Sequence, residues 1–226
     1  MKIVKTTLLS LFLALQTFSL AQTQTVKEIY KDKDGKVLTE EEAKKIKSGV
    51  FSMRTNKQEN GEEIITLIPI NESEMKAMFE KDKAWRNAKM DKAFPQFEGI
   101  TLDGKSLNNK DLAGKVAVFN FWFIACKPCV EEIPDLNELV SKYEGKNVIF
   151  VAPSIDSRIA IQKFFEKHSF DYTVTTDAHV FTEKLELNGY PTHFVVDQSG
   201  IIRAVFVGGS DRIGNLLSKE IDKLLK

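Results

Sequence analysis

The sequence predicts an α/β fold, a mixed central sheet flanked by helices on both faces, preceded by a small α+β module. Three observations carry that prediction. Apolar strand-like runs alternate with helix-periodic segments from about residue 93 onward. A hairpin pattern and an amphipathic helix close the chain. A Cys-x-x-Cys pair stands where one buried strand gives way to a helix.

In chain order, residues 1–21 read as a signal peptide. Lys2 and Lys5 form a short basic start, residues 6–20 carry no charge, and Ser19 and Ala21 put small residues where a signal peptidase reads. The mature chain is expected to begin at Gln22. The alternative is an uncleaved N-terminal anchor, but the apolar run falls short of the ~20 residues a span needs. No cysteine follows the run, which excludes a lipid anchor there. Export, most simply to the periplasm, matters for chemistry, because proteins outside the cytosol carry disulfides.

Residues 22–92 read as a separate charged module. Asp34-Gly35 and Asn60-Gly61 are hairpin-turn dipeptides, the second between strand candidates at 50–53 and 64–70. Thr39 with Glu42 three residues on is a capping-box pattern for a short helix, and Asn71 with Glu74 repeats it before a longer one. The longer helix places Met75, Met78, Phe79 and Trp85 on roughly one face, expected to dock against the main domain. No residue of this module has a chemical signature.

Residues 93–226 form the main domain. Residues 100–107 read as a hairpin over Asp103-Gly104, and 116–123 as a buried strand. A helix follows from Val130 to Tyr143, with a kink expected at Pro134. Next come a strand at 147–152, a helix at 158–168, a short strand at 172–175 and a short helix at 181–187. Strands at 193–197 and 201–207 form a hairpin, and a helix over 211–226 buries Ile213, Leu216, Leu217, Ile221, Leu224 and Leu225.

Charge narrows the function. Lys plus Arg and Asp plus Glu both number 32, so no basic field points to nucleic acid. Cys126 and Cys129 are the only cysteines. A zinc site needs four ligands, and neither further cysteines nor suitably spaced histidines exist to supply them; His168, His179 and His193 are scattered. At a strand-to-helix junction the first sulfur lies over free helix amides, which favour the nucleophilic thiolate. The second sulfur, one turn on, can attack a mixed disulfide formed by the first. No cofactor and no metal is expected.

The order of these elements, with Phe121-Trp122 before Cys126-Lys127-Pro128-Cys129 and Tyr190-Pro191-Thr192 further on, resembles the thioredoxin superfamily. The stretch from Asn120 to Pro134 looks like the TlpA/ResA branch of exported thiol-disulfide oxidoreductases. The resemblance runs from about Pro95 to the C-terminus and leaves the N-terminal module uncovered. It implies a thioredoxin fold, with Cys126 as attacking and Cys129 as resolving thiol. It implies a cis bond before Pro191, so that Tyr190 presents its backbone to a substrate strand, with Trp122 also at the substrate site. Glu132 matches a glutamate that the branch keeps near the cysteines, placed to take the proton of the resolving thiol. Asn120 stands where many thioredoxins have a buried aspartate.

The chain also departs from the family pattern. Ala125 replaces a larger residue, often tryptophan, and Phe123 and Ile124 are bulkier than usual. These changes bear on the substrate more than on the reaction. The expected activity is reduction of disulfides in exported partner proteins, with electrons from a membrane donor of the thiol-disulfide type. The closest rival is a disulfide oxidase or isomerase. A copper chaperone using Cys126, Cys129 and His193, and a peroxidase, are further rivals; the peroxidase would want Thr or Ser where Phe123 stands.

Overall fold

The computed structural model describes residues 28–49, 51–58, 60 and 62–226. The expected signal peptide, and Gly61 of the second turn dipeptide, lie outside them. Contacts divide the chain into two compact units, residues 1–75 and 76–226. Most of the helix assigned above to the N-terminal module therefore belongs with the second unit.

In the first unit, β1 (Glu28–Lys31), α1 (Glu40–Lys47), β2 (Phe51–Lys57) and β3 (Glu63–Pro69) follow in order. The strands form a three-stranded sheet, β1-β3-β2, with β1 parallel and β2 antiparallel to β3. Gly35, at φ 87°, turns the chain after β1, a conformation that costs a residue without a Cβ little. The capping box forms as the sequence predicts. The Thr39 side chain accepts from Glu42 N–H, and Glu42 accepts from Thr39 N–H at 2.9 Å. The Thr39 amide, and after it the Lys36 ammonium, holds the Glu42 carboxyl down at about 2. Ala43, Ile65 and Leu67 make the small core.

Helix α2 (Glu72–Lys89) begins with Asn71 and Glu74 bonding each other's amides, both at 2.9 Å. Its apolar stripe packs only in part. Trp85 meets Phe194 edge-on at 6.1 Å between centroids, whereas Met75, Met78 and Phe79 remain exposed.

The second unit continues with β4 (Glu98–Thr101), β5 (Ser106–Asn108), α3 (Asn109–Leu112), β6 (Val116–Phe121), α4 (Lys127–Glu131) and α5 (Ile133–Lys142). Then come β7 (Val148–Pro153), α6 (Arg158–Phe164), β8 (Thr173–Thr176), α7 (His179–Leu185), β9 (Thr192–Val196), β10 (Ile202–Val207) and α8 (Ile213–Leu224). Seven strands form one mixed sheet in the order β10-β9-β6-β7-β8-β4-β5. β6, β7 and β8 run parallel, and β9 lies antiparallel to β6.

Every residue of β6 is buried, as a strand covered on both faces must be. Alternation sends Val116, Val118 and Trp122 into a core shared with α5, α8 and both cysteines. Ala117, Phe119 and Phe121 enter a second core on the opposite face, with Phe94, Phe181 and Phe194. The predicted mixed sheet with helices on both faces is therefore present.

The long helix expected over Val130 to Tyr143 is instead two. It breaks at Glu132, which caps the end of α4 and the start of α5. The expected kink at Pro134 is the cause, because proline has no N–H to continue the ladder. The helix expected over 158–168 ends at Phe164, and the terminal helix starts two residues later than expected, at Ile213.

Candidate active site

The site is built where β6 ends. Cys126 is the N-cap of α4, with extended backbone (φ −81°, ψ 94°), and its Sγ accepts the Cys129 N–H at 3.3 Å. The two cysteines are joined in a disulfide. Cys126 is 5% exposed and Cys129 wholly buried, so an incoming sulfur meets Cys126 first. Pro128 occupies the first turn of the helix, where a missing N–H costs nothing. Lys127 points outward and pairs with Glu131 at 3.6 Å, an exposed contact of little energetic weight.

Two residues that sequence reasoning missed hold the loop before Cys126. Asp156, after β7, accepts the Ile124 N–H at 2.7 Å and the Ser154 hydroxyl at 3.0 Å. A carboxylate facing a backbone amide is a charge-assisted bond. No motif marks Asp156, which lies 32 residues beyond the amide it holds.

Trp122 requires a correction. The sequence placed it at the substrate site, but it is fully buried, with its ring among Phe164, Phe165 and Phe170 at centroid distances of 5.6–6.2 Å. It supports the cysteine loop from beneath and has no surface to offer a substrate. Directly after β6 it continues the strand's alternation, pairing with Ser154, and that face lies under helices.

The peptide bond between Tyr190 and Pro191 is cis. Tyr190 is half-buried against Phe123, edge-on at 5.1 Å. Phe123, Ile124 and Tyr190 pack against the core holding the cysteines, while Ala125 is exposed. The rim beside Cys126 is thus apolar and low at Ala125.

The loop after β10 forms a further wall, also unforeseen. Gly208, at φ 85°, donates its N–H to Pro191 O at 2.9 Å. A Cβ on Gly209 would lie 2.7 Å from Pro128 Cβ, so only glycine permits this approach. Ser210 donates its N–H to Glu132 Oε1 at 2.7 Å. A cavity of about 390 Å³ opens here, lined by Pro128, Glu131, Glu132, Gly209, Ser210 and Asp211. Glu-Glu-Ile-Pro does not by itself say which glutamate turns inward. Glu131 is exposed and Glu132 buried, with its second oxygen 3.1 Å from His193 Nε2.

Nearby, the Tyr172 phenol is buried without a hydrogen-bond partner among the described residues. Burial first, then the charges of Glu132 and Asp135, push its ionisation well above the ordinary tyrosine value.

The comparisons with known proteins match this geometry. A model of the AhpC/TSA family matches residues 90–205, just over half of the chain. Thiol-disulfide oxidoreductase ResA of Bacillus cereus is 34% identical over 119 residues, covering 52% of this chain and 69% of the relative. Thioredoxin-like protein YneN of Bacillus subtilis is 26% identical, covering 50% and 69%. Among solved structures, a thiol:disulfide interchange protein of the thioredoxin family from Chlorobium tepidum superposes with a TM-score of 0.51 at 26% identity, over 60% of this chain and 97% of that one. The thioredoxin domain of a thiol-disulfide oxidoreductase from Bacteroides vulgatus gives 0.53 at 25% identity, over 61% and 98%. The resemblance read from the cysteine motif and its flanks is therefore shown over residues 90–205, and the chain belongs to the AhpC/TSA family of thioredoxin-like proteins.

Proposed function

We propose that this thiol-disulfide oxidoreductase works as a reductant of disulfides in proteins outside the cytosol. Cys126 would be the attacking thiol, Cys129 the resolving thiol and Glu132 the proton acceptor. The observation that carries the reading is Cys126 at the head of α4, its sulfur already accepting a helix amide. That amide and the helix dipole stabilise the thiolate formed on reduction.

The electron balance is simple. In the dithiol form, the Cys126 thiolate attacks one sulfur of a substrate disulfide and displaces the other as thiolate. Cys129 loses its proton and attacks Cys126 Sγ, closing the disulfide and releasing the second substrate thiolate. Two electrons pass to the substrate, and a thiol donor, proposed to be membrane-bound, must then return two to the pair. The apolar rim of Phe123, Ile124 and Tyr190 supports docking of an extended substrate strand beside Cys126.

The direction follows from what the motif lacks. A pair becomes strongly oxidising when its reduced thiolate is unusually stable. Between the cysteines, Pro128 offers no N–H, and the Lys127 ammonium is in water. A potential near the thioredoxin value of about −270 mV is expected, and equilibration with a glutathione buffer measures it. A value above about −180 mV, the level of a disulfide isomerase, would replace reduction with disulfide formation or shuffling. Export rests on the N-terminal sequence, and N-terminal sequencing of the secreted protein should begin at Gln22.

A further inference from the structure

His193 is a buried polar residue that the exchange chemistry above does not use. It lies in β9, between β10 and β6, and is wholly inaccessible to solvent. Alternation places it on the same face as Val195, which packs in the core containing both cysteines. Directly opposite it on β6 stands Asn120. An interior strand position of this kind ordinarily carries an apolar side chain. Here the ring meets a carboxylate instead, with Nε2 3.1 Å from Glu132 Oε2. The other oxygen of Glu132 accepts from Ser210 N–H at 2.7 Å. His193 Nδ1 and both polar side-chain atoms of Asn120 have no hydrogen-bond partner among the described residues.

We infer that His193 is a positioning residue for the resolving step: its Nε2–H fixes the Glu132 carboxylate and favours the ionised form that takes the proton from Cys129. The inference rests on the exchange mechanism proposed above. To accept a proton, Glu132 must first be ionised, and a lone buried carboxylate is strongly disfavoured. A donated Nε2–H and the Ser210 amide give the ionised form one donor for each oxygen. When the Cys129 proton arrives, the pair passes from a net charge of −1 to neutral. The arriving proton stays on the Glu132 carboxyl, and Nε2 keeps its own. The Cys129 thiolate attacks Cys126 Sγ. The bond between the two cysteines forms, the bond from Cys126 to the substrate sulfur breaks, and its electron pair leaves on that sulfur. No other reactant is needed.

The other titratable and charged groups around the pair are few. Cys126 caps α4, Cys129 and the Lys127–Glu131 pair lie in it, and Asp135 on α5 accepts the Gly214 N–H at 2.6 Å. Tyr172 precedes β8, and Asp211 follows Ser210 beside the cavity. The Tyr172 phenol stays protonated through neutral pH, so it is no rival acceptor.

The test uses the reduced full chain and an aromatic disulfide reagent whose released thiolate is coloured. The first burst reports attack by Cys126 and the second reports resolution by Cys129. Both are followed from pH 5 to 9 in the wild type, Glu132→Gln, His193→Gln and the double variant. His193→Gln should leave the first phase within about 2-fold, slow the second by roughly 5- to 10-fold and change its pH profile, as loss of the ring donor that favours the ionised carboxylate requires. On top of Glu132→Gln, it should add less than about 2-fold, because residues acting as one unit are not additive. Equal slowing in both backgrounds, or a wild-type pH profile in His193→Gln, overturns the inference. A wild-type protein with no Cys129-dependent second phase overturns the exchange mechanism itself, a separate result. Should His193→Gln fail to fold, the wild type still decides. The wild-type His193 ring nitrogen shifts in NMR should then report a protonated Nε2 and a bare Nδ1, and the opposite tautomer overturns the inference.

Discussion

Replacing Gly209 with alanine tests whether the loop after β10 is part of the working site. The added Cβ would lie 2.7 Å from Pro128 Cβ and 3.7 Å from Pro128 Cα. Carbon atoms prefer 3.5–4.0 Å, so the overlap is roughly 1 Å. Pro128 is fixed in its ring inside α4 and cannot rotate away, so the loop must move. Overpacking of this kind costs about 1–3 kcal/mol. A displacement of that size also stretches the 2.7 Å bond from Ser210 N–H to Glu132, one residue along, beyond hydrogen-bond range. A bond to a charged group is worth roughly 1.5–3 kcal/mol, so Glu132 loses one of its two holds. The assay is urea unfolding together with the two-phase thiolate release. The expected result is a lower unfolding midpoint, with resolution by Cys129 slowed more than attack by Cys126. Gly145→Ala is the matched control. It sits at φ 71° with open space around it and far from the site, so it costs stability through backbone strain alone. If Gly209→Ala matches the wild type in both stability and kinetics, the close approach to Pro128 does not constrain the site.

Three further outcomes are expected. Cys129→Ser should accumulate a mixed disulfide with a substrate such as insulin, and Cys126→Ser should not, read by non-reducing electrophoresis; full activity in both variants would refute the cysteine mechanism. Asp156→Ala should cost about 1–3 kcal/mol by leaving the Ile124 N–H without an acceptor, and should loosen the loop before Cys126, measurable as faster amide exchange at Ile124. Tyr172→Phe removes a buried hydroxyl that has no partner among the described residues, and should keep or raise stability at pH 7. The sign at high pH is also fixed. The folded protein holds this phenol protonated above the usual value near 10, so its contribution is complete below that pH and is lost as pH rises further. The wild type should therefore lose more stability between pH 9 and 11 than the Phe variant, as denaturant midpoints would show.

What the sequence revealed was mostly local. Cys126 and Cys129, the helix they open and the capping boxes at Thr39 and Asn71 lie within a few residues of what they act on. Helical and strand periodicity therefore carried the sheet and its two faces. Trp122 was misplaced because a motif flank was read as a rim residue; the all-apolar run of β6 already implied that both faces were covered. The walls of the site were hidden for a different reason. Glu132 meets His193 61 residues away and Ser210 78 residues away, and Ile124 meets Asp156 across 32. No periodicity encodes such pairings. The unit boundary was hidden too, because Trp85 shares a helix with residues whose side chains face solvent, yet joins the core of the second unit.

The distance along the chain from Glu132 to Ser210 has a meaning for synthesis. A polypeptide grows from its N-terminus, and domains fold as units when their parts have emerged. The cysteines therefore exist for dozens of elongation steps before the segment that closes over Glu132 is made. In many proteins such an interval invites the wrong internal pairing. This chain contains two cysteines in all, so the one disulfide it can close on itself is the native one. The remaining hazard is capture by the thiols of another molecule. Thiol scavengers present during translation should therefore change the yield of active protein more than oxidants added after release.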